Sequence, residues 1–167
     1  MACGVRTQGE IVETNSGRKI IASALGPETA ETVGEFADGL VTTSPNEEYI
    51  ERFKTAAEGP IYGGTRVCWA ESDEAALETA VKWWPNQFVD VSGTELPKPK
   101  NYAEASASVA PEDAAESITH GPDPEPYVET VQEYVDAGFD SVYLHHLGKN
   151  QTEFVEFMER DVLPEFS

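Results

Sequence analysis

Basic residues, cysteine and long apolar runs are all scarce in this chain. Eleven Lys and Arg stand against 31 Asp and Glu over 167 residues, for a formal charge of −20. With no basic stripe to replace counterions on phosphates, nucleic acid is a poor partner. The two cysteines, Cys3 and Cys68, form neither a disulfide framework nor a metal spacing. Cys68 lies in an apolar run, where a small buried residue is expected, and no metal is expected. The opening Met1-Ala2-Cys3-Gly4-Val5-Arg6 lacks a secretory apolar stretch, and no apolar run approaches the length of a bilayer span. A cytoplasmic protein with no membrane partner is the expectation.

What the chain has is a globular composition, 40% hydrophobic and 25% charged, which predicts a packed core despite the charge. The acids are spread along the sequence and imply a solvated surface. Self-repulsion of that density weakens a compact state at low ionic strength, whereas molar salt shortens the Debye length to about 3 Å. The acidity therefore reads as halophilic adaptation; an acidic surface that recruits basic partners is the alternative.

Residues 1–17 are polar and aperiodic, closing on Thr14-Asn15-Ser16-Gly17, and read as a leader outside the core; the organised domain is expected over 18–167. Lys19 to Ala24 is a β-branched run ended by Gly26-Pro27, and Pro suits the first turn of a helix. That helix is predicted over 27–36, with Ala30, Val33 and Phe36 or Ala37 inward. Asp38-Gly39 turns into the strand Leu40-Val41-Thr42-Thr43. Ser44-Pro45-Asn46-Glu47 reads as a capping box with Ser44 as the cap, followed by Tyr49, Ile50, Phe53 and Ala57 at helical spacing up to Gly59-Pro60. A third strand lies within 61–70, centred on Thr65-Arg66-Val67-Cys68-Trp69, and a helix over 72–84 turns Leu77, Ala80 or Val81, and Trp84 inward.

Alternation of this kind means βαβ units and a parallel sheet. From 85 to 117 it breaks, through Pro97-Lys98-Pro99-Lys100 and an Ala/Ser/Glu-rich stretch, into an insertion with room for one or two short helices. After Gly121-Pro122-Asp123-Pro124 a helical stripe resumes at Tyr127 or Val128, Val131, and Tyr134 or Val135. The strand Ser141-Val142-Tyr143-Leu144-His145 and a helix over about 150–163 close the chain. Gly26-Pro27 leading to Asp38-Gly39-Leu40 is echoed by Gly121-Pro122 leading to Asp136-Ala137-Gly138-Phe139.

Four ordered blocks carry a family resemblance: Ile21-Ala22-Ser23-Ala24-Leu25-Gly26-Pro27, Ala37-Asp38-Gly39-Leu40-Val41-Thr42-Thr43-Ser44, Gly121-Pro122-Asp123-Pro124-Glu125 and Tyr134-Val135-Asp136-Ala137-Gly138-Phe139-Asp140. With the Leu163-Pro164 ending they resemble the second half of the luciferase-like oxidoreductases, nearest the branch of deazaflavin-dependent glucose-6-phosphate dehydrogenases. The resemblance implies an α/β fold, the last four strands of a (β/α)8 TIM barrel, with a helical insertion before the final strand. A complete barrel takes roughly 250 residues, so a truncated or split enzyme is expected, lacking the N-terminal half that supplies most catalytic groups.

The same resemblance implies coenzyme F420, with FMN as the alternative, and hydride transfer to or from a small organic substrate. Ser23, Ala24, Leu25 and Gly26 match the family's cofactor-contacting loop, with Leu25 where relatives often carry glycine. Small residues running into a helix N-terminus let backbone N–H groups approach a ring or phosphate; a tight turn needed only for folding is the plainer reading. Thr43 is a candidate for hydrogen bonding the cofactor, against a strand threonine bonded to backbone. Where phosphate-reading relatives place basic residues, this chain offers Asn46 and Thr152, with Lys149 the one cation beyond the last strand.

His145 and His146 end that strand facing opposite sides, and His145 is the candidate acid or base, against a structural rim histidine. Trp69, Trp83 and Trp84 read as packing anchors. Two open sheet edges predict a homodimer or a complementing N-terminal half. A non-catalytic half-barrel assembly module, or a remnant, is the alternative function.

Overall fold

A computed structural model describes residues 3–7, 10–14, 19–89, 96 and 98–166. The chain divides into two compact units, Met1–Thr65 with Val131–Leu144, and Arg66–Thr130 with His145–Ser167. Along the chain lie β1 (Cys3–Thr7), β2 (Glu10–Thr14), β3 (Ile21–Ser23), α1 (Pro27–Gly34), β4 (Gly39–Thr42), α2 (Glu47–Lys54), β5 (Ile61–Cys68) and α3 (Asp73–Trp83). Then follow α4 (Pro99–Ser106), α5 (Pro111–Ala115), β6 (Thr119–His120), α6 (Glu125–Asp136), β7 (Ser141–His146) and α7 (Gln151–Phe157). β3, β4, β5 and β7 are the four strands expected, and β5, α6 and β7 each carry residues of both units.

In the first unit β3 runs parallel to β4, with Ile21 opposite Gly39 and Ser23 opposite Val41, and β4 runs parallel to β5, with Leu40 opposite Ile61. Alternation along the strands sends Leu40 and Ile61 into a core with Ala30 and Val33 of α1 and Ile50 and Phe53 of α2. Each helix contributes the one face that its 3.6-residue period makes apolar. Two aspartates tie this unit at its strand starts. Asp38 accepts the Ile20 N–H at 2.8 Å and returns its own N–H to the Ile20 carbonyl at 2.8 Å. Asp140 does the same for Ile61, at 2.8 and 2.9 Å. The internal echo is therefore real, but its structural counterparts are Asp38 and Asp140; Asp136 instead accepts from Gln132 on its own helix.

Two expectations are corrected here. The segment expected as an aperiodic leader or loop carries strands at Cys3–Thr7 and Glu10–Thr14: β1 and β2 pair antiparallel with Val5 opposite Val12, a β-prone pair too short to stand out as a period. The Asn15-Ser16-Gly17 turn expected to follow lies outside the described residues. Nor does Ser44 cap α2. The helix begins at Glu47, and the side chain of Asn46, extended at φ −100 and ψ 111, accepts the Glu48 N–H at 2.9 Å. Asn is as good a cap as Ser, and such a cap contributes about 1 kcal/mol, so the residue adjoining the first turn prevails.

In the second unit the end of β5 pairs parallel with β6, Val67 opposite Thr119 and Cys68 opposite His120, and Leu147 donates to the Val67 carbonyl at 3.0 Å. Ser72 caps α3 through the Ala75 N–H, with Asp73 and Glu74 in the first turn where the helix dipole favours acids. Cys68, Ala76, Ala80, Ala114, Ile118 and Leu147 form its core. The insertion holds a 3-10 turn at Pro85–Phe88 and the helices α4 and α5; residues 90–95 and Pro97 lie outside the described residues. Along α6 the stripe narrows to buried Tyr127 and Tyr134, while Val135 is exposed. The final helix passes at Met158 into a π-helical turn and then a 3-10 turn ending at Phe166.

Candidate functional site

The loop after β3 is held from one side and open on the other. Ala24 turns its methyl into the core, 1% exposed, and donates its N–H to the Val41 carbonyl at 3.2 Å. The Leu25 carbonyl accepts the Tyr49 hydroxyl at 3.4 Å, and the Gly26 carbonyl accepts the Ala30 N–H at 3.0 Å as the first bond of α1. Those contacts leave Ser23 exposed and the Leu25 side chain 74% exposed. Gly26 has φ −169, an extended conformation open to any residue, and a Cβ there would meet nothing within 4 Å. Glycine is thus not demanded by the local backbone, and it keeps an empty cradle at the start of α1.

Thr42 and Thr43 part company, as strand alternation requires. Thr42 is fully buried and its hydroxyl has no partner, whereas Thr43, just past the strand end, is exposed. The Thr43 carbonyl accepts the Tyr134 hydroxyl at 3.2 Å, as does the Gly64 carbonyl at 3.2 Å. Burial raises the Tyr134 pKa, so the phenol stays protonated and donating at neutral pH. The consecutive glycines of β5 make room for aromatic rings. A Cβ at Gly63 would meet Tyr134 Cε1 at 2.8 Å and Phe139 Cδ1 at 2.9 Å, and one at Gly64 would meet the Tyr143 ring. Ser23, Leu25 and Gly26 therefore share one loop anchored through Ala24 to Val41, and Thr43 follows the end of that neighbouring strand.

The second unit contains the histidines, which face opposite ways as expected. His146 is buried, accepts the Trp69 N–H on Nδ1 at 3.3 Å, and bonds Asn150 Oδ1 through Nε2 at 3.1 Å. Asn150 in turn donates to the Trp69 carbonyl at 3.3 Å, and the imidazole stacks on Phe154 at 4.4 Å. Burial lowers the His146 pKa, with the Asn150 bond opposing it. Both nitrogens are engaged, so His146 is structural. His145 is exposed and lies edge-on to Trp84 at 5.3 Å.

Trp69 packs against Phe157 at 5.7 Å, and Trp84 against the second core. Trp83 is not an anchor: it is 45% exposed, with the Lys149 ammonium 4.2 Å above its ring and that of Lys82 at 5.7 Å. Burial pushes the Cys68 thiol up to about 11, which removes it as a nucleophile. Asn46 is occupied as a helix cap, and Thr152 is exposed on α7. Among the described residues there is no group of three His, Cys, Asp or Glu able to hold a metal, and no helix long and apolar enough to cross a membrane.

Sequence reasoning missed two residues. The Tyr134 hydroxyl was hidden inside an apolar stripe, where tyrosine reads as bulk. Arg66 stood in plain view as the one charge in an otherwise neutral strand. Its Cζ lies 5.2 Å over the Trp84 ring, and its Nε is buried with no hydrogen-bond partner.

Known proteins bear on this geometry. The family model described as luciferase-like monooxygenase matches residues 6–141. The F420-dependent glucose-6-phosphate dehydrogenase of Rhodococcus erythropolis is 29% identical over 162 residues, covering 89% of this chain and 48% of that protein. The chain thus spans about half the length of the curated relatives it matches. A solved F420-dependent secondary alcohol dehydrogenase, in complex with an F420-acetone adduct, superposes with a TM-score of 0.71 at 13% identity, over 99% of this chain and 56% of that one. The coenzyme F420 dependent tetrahydromethanopterin reductase of Methanopyrus kandleri superposes with a TM-score of 0.64 at 19% identity, over 98% of this chain and 56% of that one. This chain belongs to the luciferase-like monooxygenase family, as an α/β fold that resembles half of the family's barrel.

Proposed function

We propose that the chain, as residues 18–167 with an insertion at about 85–117, forms the cofactor-binding part of a deazaflavin-dependent oxidoreductase, with FMN as the runner-up cofactor. The supporting observation is the loop Ser23–Gly26, pinned through Ala24 and open at Gly26, with Thr43 exposed just past the end of the adjoining strand. When bound, the cofactor supplies a ring that exchanges hydride with a small organic substrate. In this chain, the Leu25 and Gly26 N–H groups and the Ser23 and Thr43 hydroxyls would hold and orient it, beside the exposed Leu25 side chain. His145 is the candidate for moving a proton to or from the substrate.

Activity is assigned to an assembly, with a complementing N-terminal half or a second copy of the chain. Tyr143, 51% exposed, and Ile21, 37% exposed, support this, since both stand on the sheet face away from the core of the first unit. The same exposed side chains favour a second reading, a half-barrel assembly module without catalysis. The charge of −20 fits a salt-rich cytoplasm.

Fluorescence titration of the folded chain with coenzyme F420, and in parallel with FMN, in molar potassium chloride tests the reading. Saturable binding of either is expected. A folded sample that binds neither overturns it and leaves assembly as the function, which light scattering in the same salt then checks.

A further inference from the structure

We propose that the groove between the 3-10 turn Pro85–Phe88 and α4 binds a small organic acid, an apolar body carrying a single carboxylate. The groove belongs wholly to the second unit, where α4 packs against that turn. Its volume of about 490 Å3 lies within the range of small-molecule sites. From α4 it is lined by Pro99, Tyr102, Ala103 and Ser106, which recur at i, i+3, i+4 and i+7 and so form one stripe of the helix.

That stripe is apolar, with Ser106 its one polar end, and Pro85 and Leu96 extend the apolar wall. A helix with such a face ordinarily buries it in a core. Here neither α4 nor the turn buries a residue fully; Tyr102 and Leu96 are half-buried, and Pro99 and Ala103 are exposed. The groove therefore keeps apolar surface that a ligand can cover.

Charge selects the ligand. Acids make up 31 of the 167 residues, yet among the described residues none lines the groove. The charge it does carry is the Lys98 ammonium, which is exposed and has no carboxylate partner among the described residues. The other charges of α4, Lys100 and Glu104, lie off the lining stripe. An ammonium is a compact point charge that matches one carboxylate, and a chain of charge −20 repels a dianion twice as strongly as a monoanion. In molar salt, where the Debye length is about 3 Å, that exposed ion pair adds little, so the apolar body supplies most of the affinity. No cofactor enters this site or its test.

The intact chain is titrated with phenylbutyrate in molar potassium chloride, followed by calorimetry and by amide correlation spectra, with phenylbutanol and butyrate as parallel arms. Saturable binding of phenylbutyrate is expected, with the spectral shifts concentrated in residues 85–106. Phenylbutanol and butyrate, each lacking one of the two features, are expected to bind more weakly. Ala103→Glu, at an exposed position, sets an acid in the groove and is expected to weaken binding at least about tenfold. Lys98→Gln is expected to weaken it about threefold, the share of one exposed ion pair. Lys100→Gln removes the same charge off the stripe and is expected to leave the affinity unchanged. An unchanged thermal midpoint will show that each variant folds. Absence of saturable phenylbutyrate binding, phenylbutanol bound as tightly as the acid, wild-type affinity in a folded Ala103→Glu variant, or equal losses in Lys98→Gln and Lys100→Gln would each overturn the proposal.

Discussion

The two units lock their strand ends with different chemistry. In the first, carboxylates and a phenol do the work: Asp38 and Asp140 on strand-start amides, and the Tyr134 hydroxyl on the Thr43 and Gly64 carbonyls. In the second, the lock is an imidazole, with His146 and Asn150 clasping both backbone groups of Trp69. The first brings aromatic rings close to glycine backbone, while the second depends on the protonation state of an imidazole.

The sharpest way to break the first lock is steric. Gly63→Ala drives a methyl against Tyr134 and Phe139, rings that are buried or half-buried and, for Tyr134, tied by its hydroxyl. A loss of about 3 kcal/mol in urea denaturation is expected, the upper range for overpacking. Gly64→Ala is the control, because its nearest neighbours are atoms of the Tyr143 ring, which is half exposed and can swing away; equal losses in the two would mean that the close approach does not matter. Next comes Asp140→Ala, which leaves the Ile61 N–H at a buried position without its acceptor. About 2 kcal/mol is expected from the same measurement, and Asp136→Ala, on the exposed side of α6, should cost much less.

The second lock is broken by acid. Burial holds the His146 pKa below its ordinary 6.5, so the unfolded chain takes up that proton first as the pH falls. The contribution to stability is full above about 6.5 and is lost as the pH drops towards the lower folded-state value. Protonation would also set a donor at Nδ1 against the Trp69 N–H. The urea midpoint is expected to fall on acidification below about pH 6.5, and His146→Gln should flatten that part of the profile. An unchanged slope in the variant would assign the pH dependence to other groups.

How much of this was legible in the sequence varies with the range of the interaction. The strands and helices could be read because alternation and the 3.6-residue period are local, as Leu40, Ile50 and Phe53 show by meeting in one core. The small-residue loop was legible for the same reason, since Gly26-Pro27 marks a helix start wherever it occurs. The locks were not legible, because they join residues far apart in sequence: Tyr134 to Gly64, Asp140 to Ile61, Asn150 to Trp69. The misplaced cap at Ser44 is different in kind. Two good caps lay two residues apart, and only the backbone angles at Asn46 decide between them.

The smallest expected effect on stability is also the most informative for function. Gly26→Ser places a favoured N-cap residue at the start of α1, where no side chain caps the helix, and its Cβ enters open space. Stability should stay within about 0.5 kcal/mol of the parent or rise slightly. If the cofactor packs into that cradle, the added hydroxymethyl group must reduce the affinity for coenzyme F420, because the ring can no longer approach the backbone. A fold left intact with weaker cofactor binding would assign the cradle to the cofactor. Unchanged affinity in an equally stable variant would mean that the open side of the loop serves the turn alone, and that any cofactor held by this chain lies elsewhere.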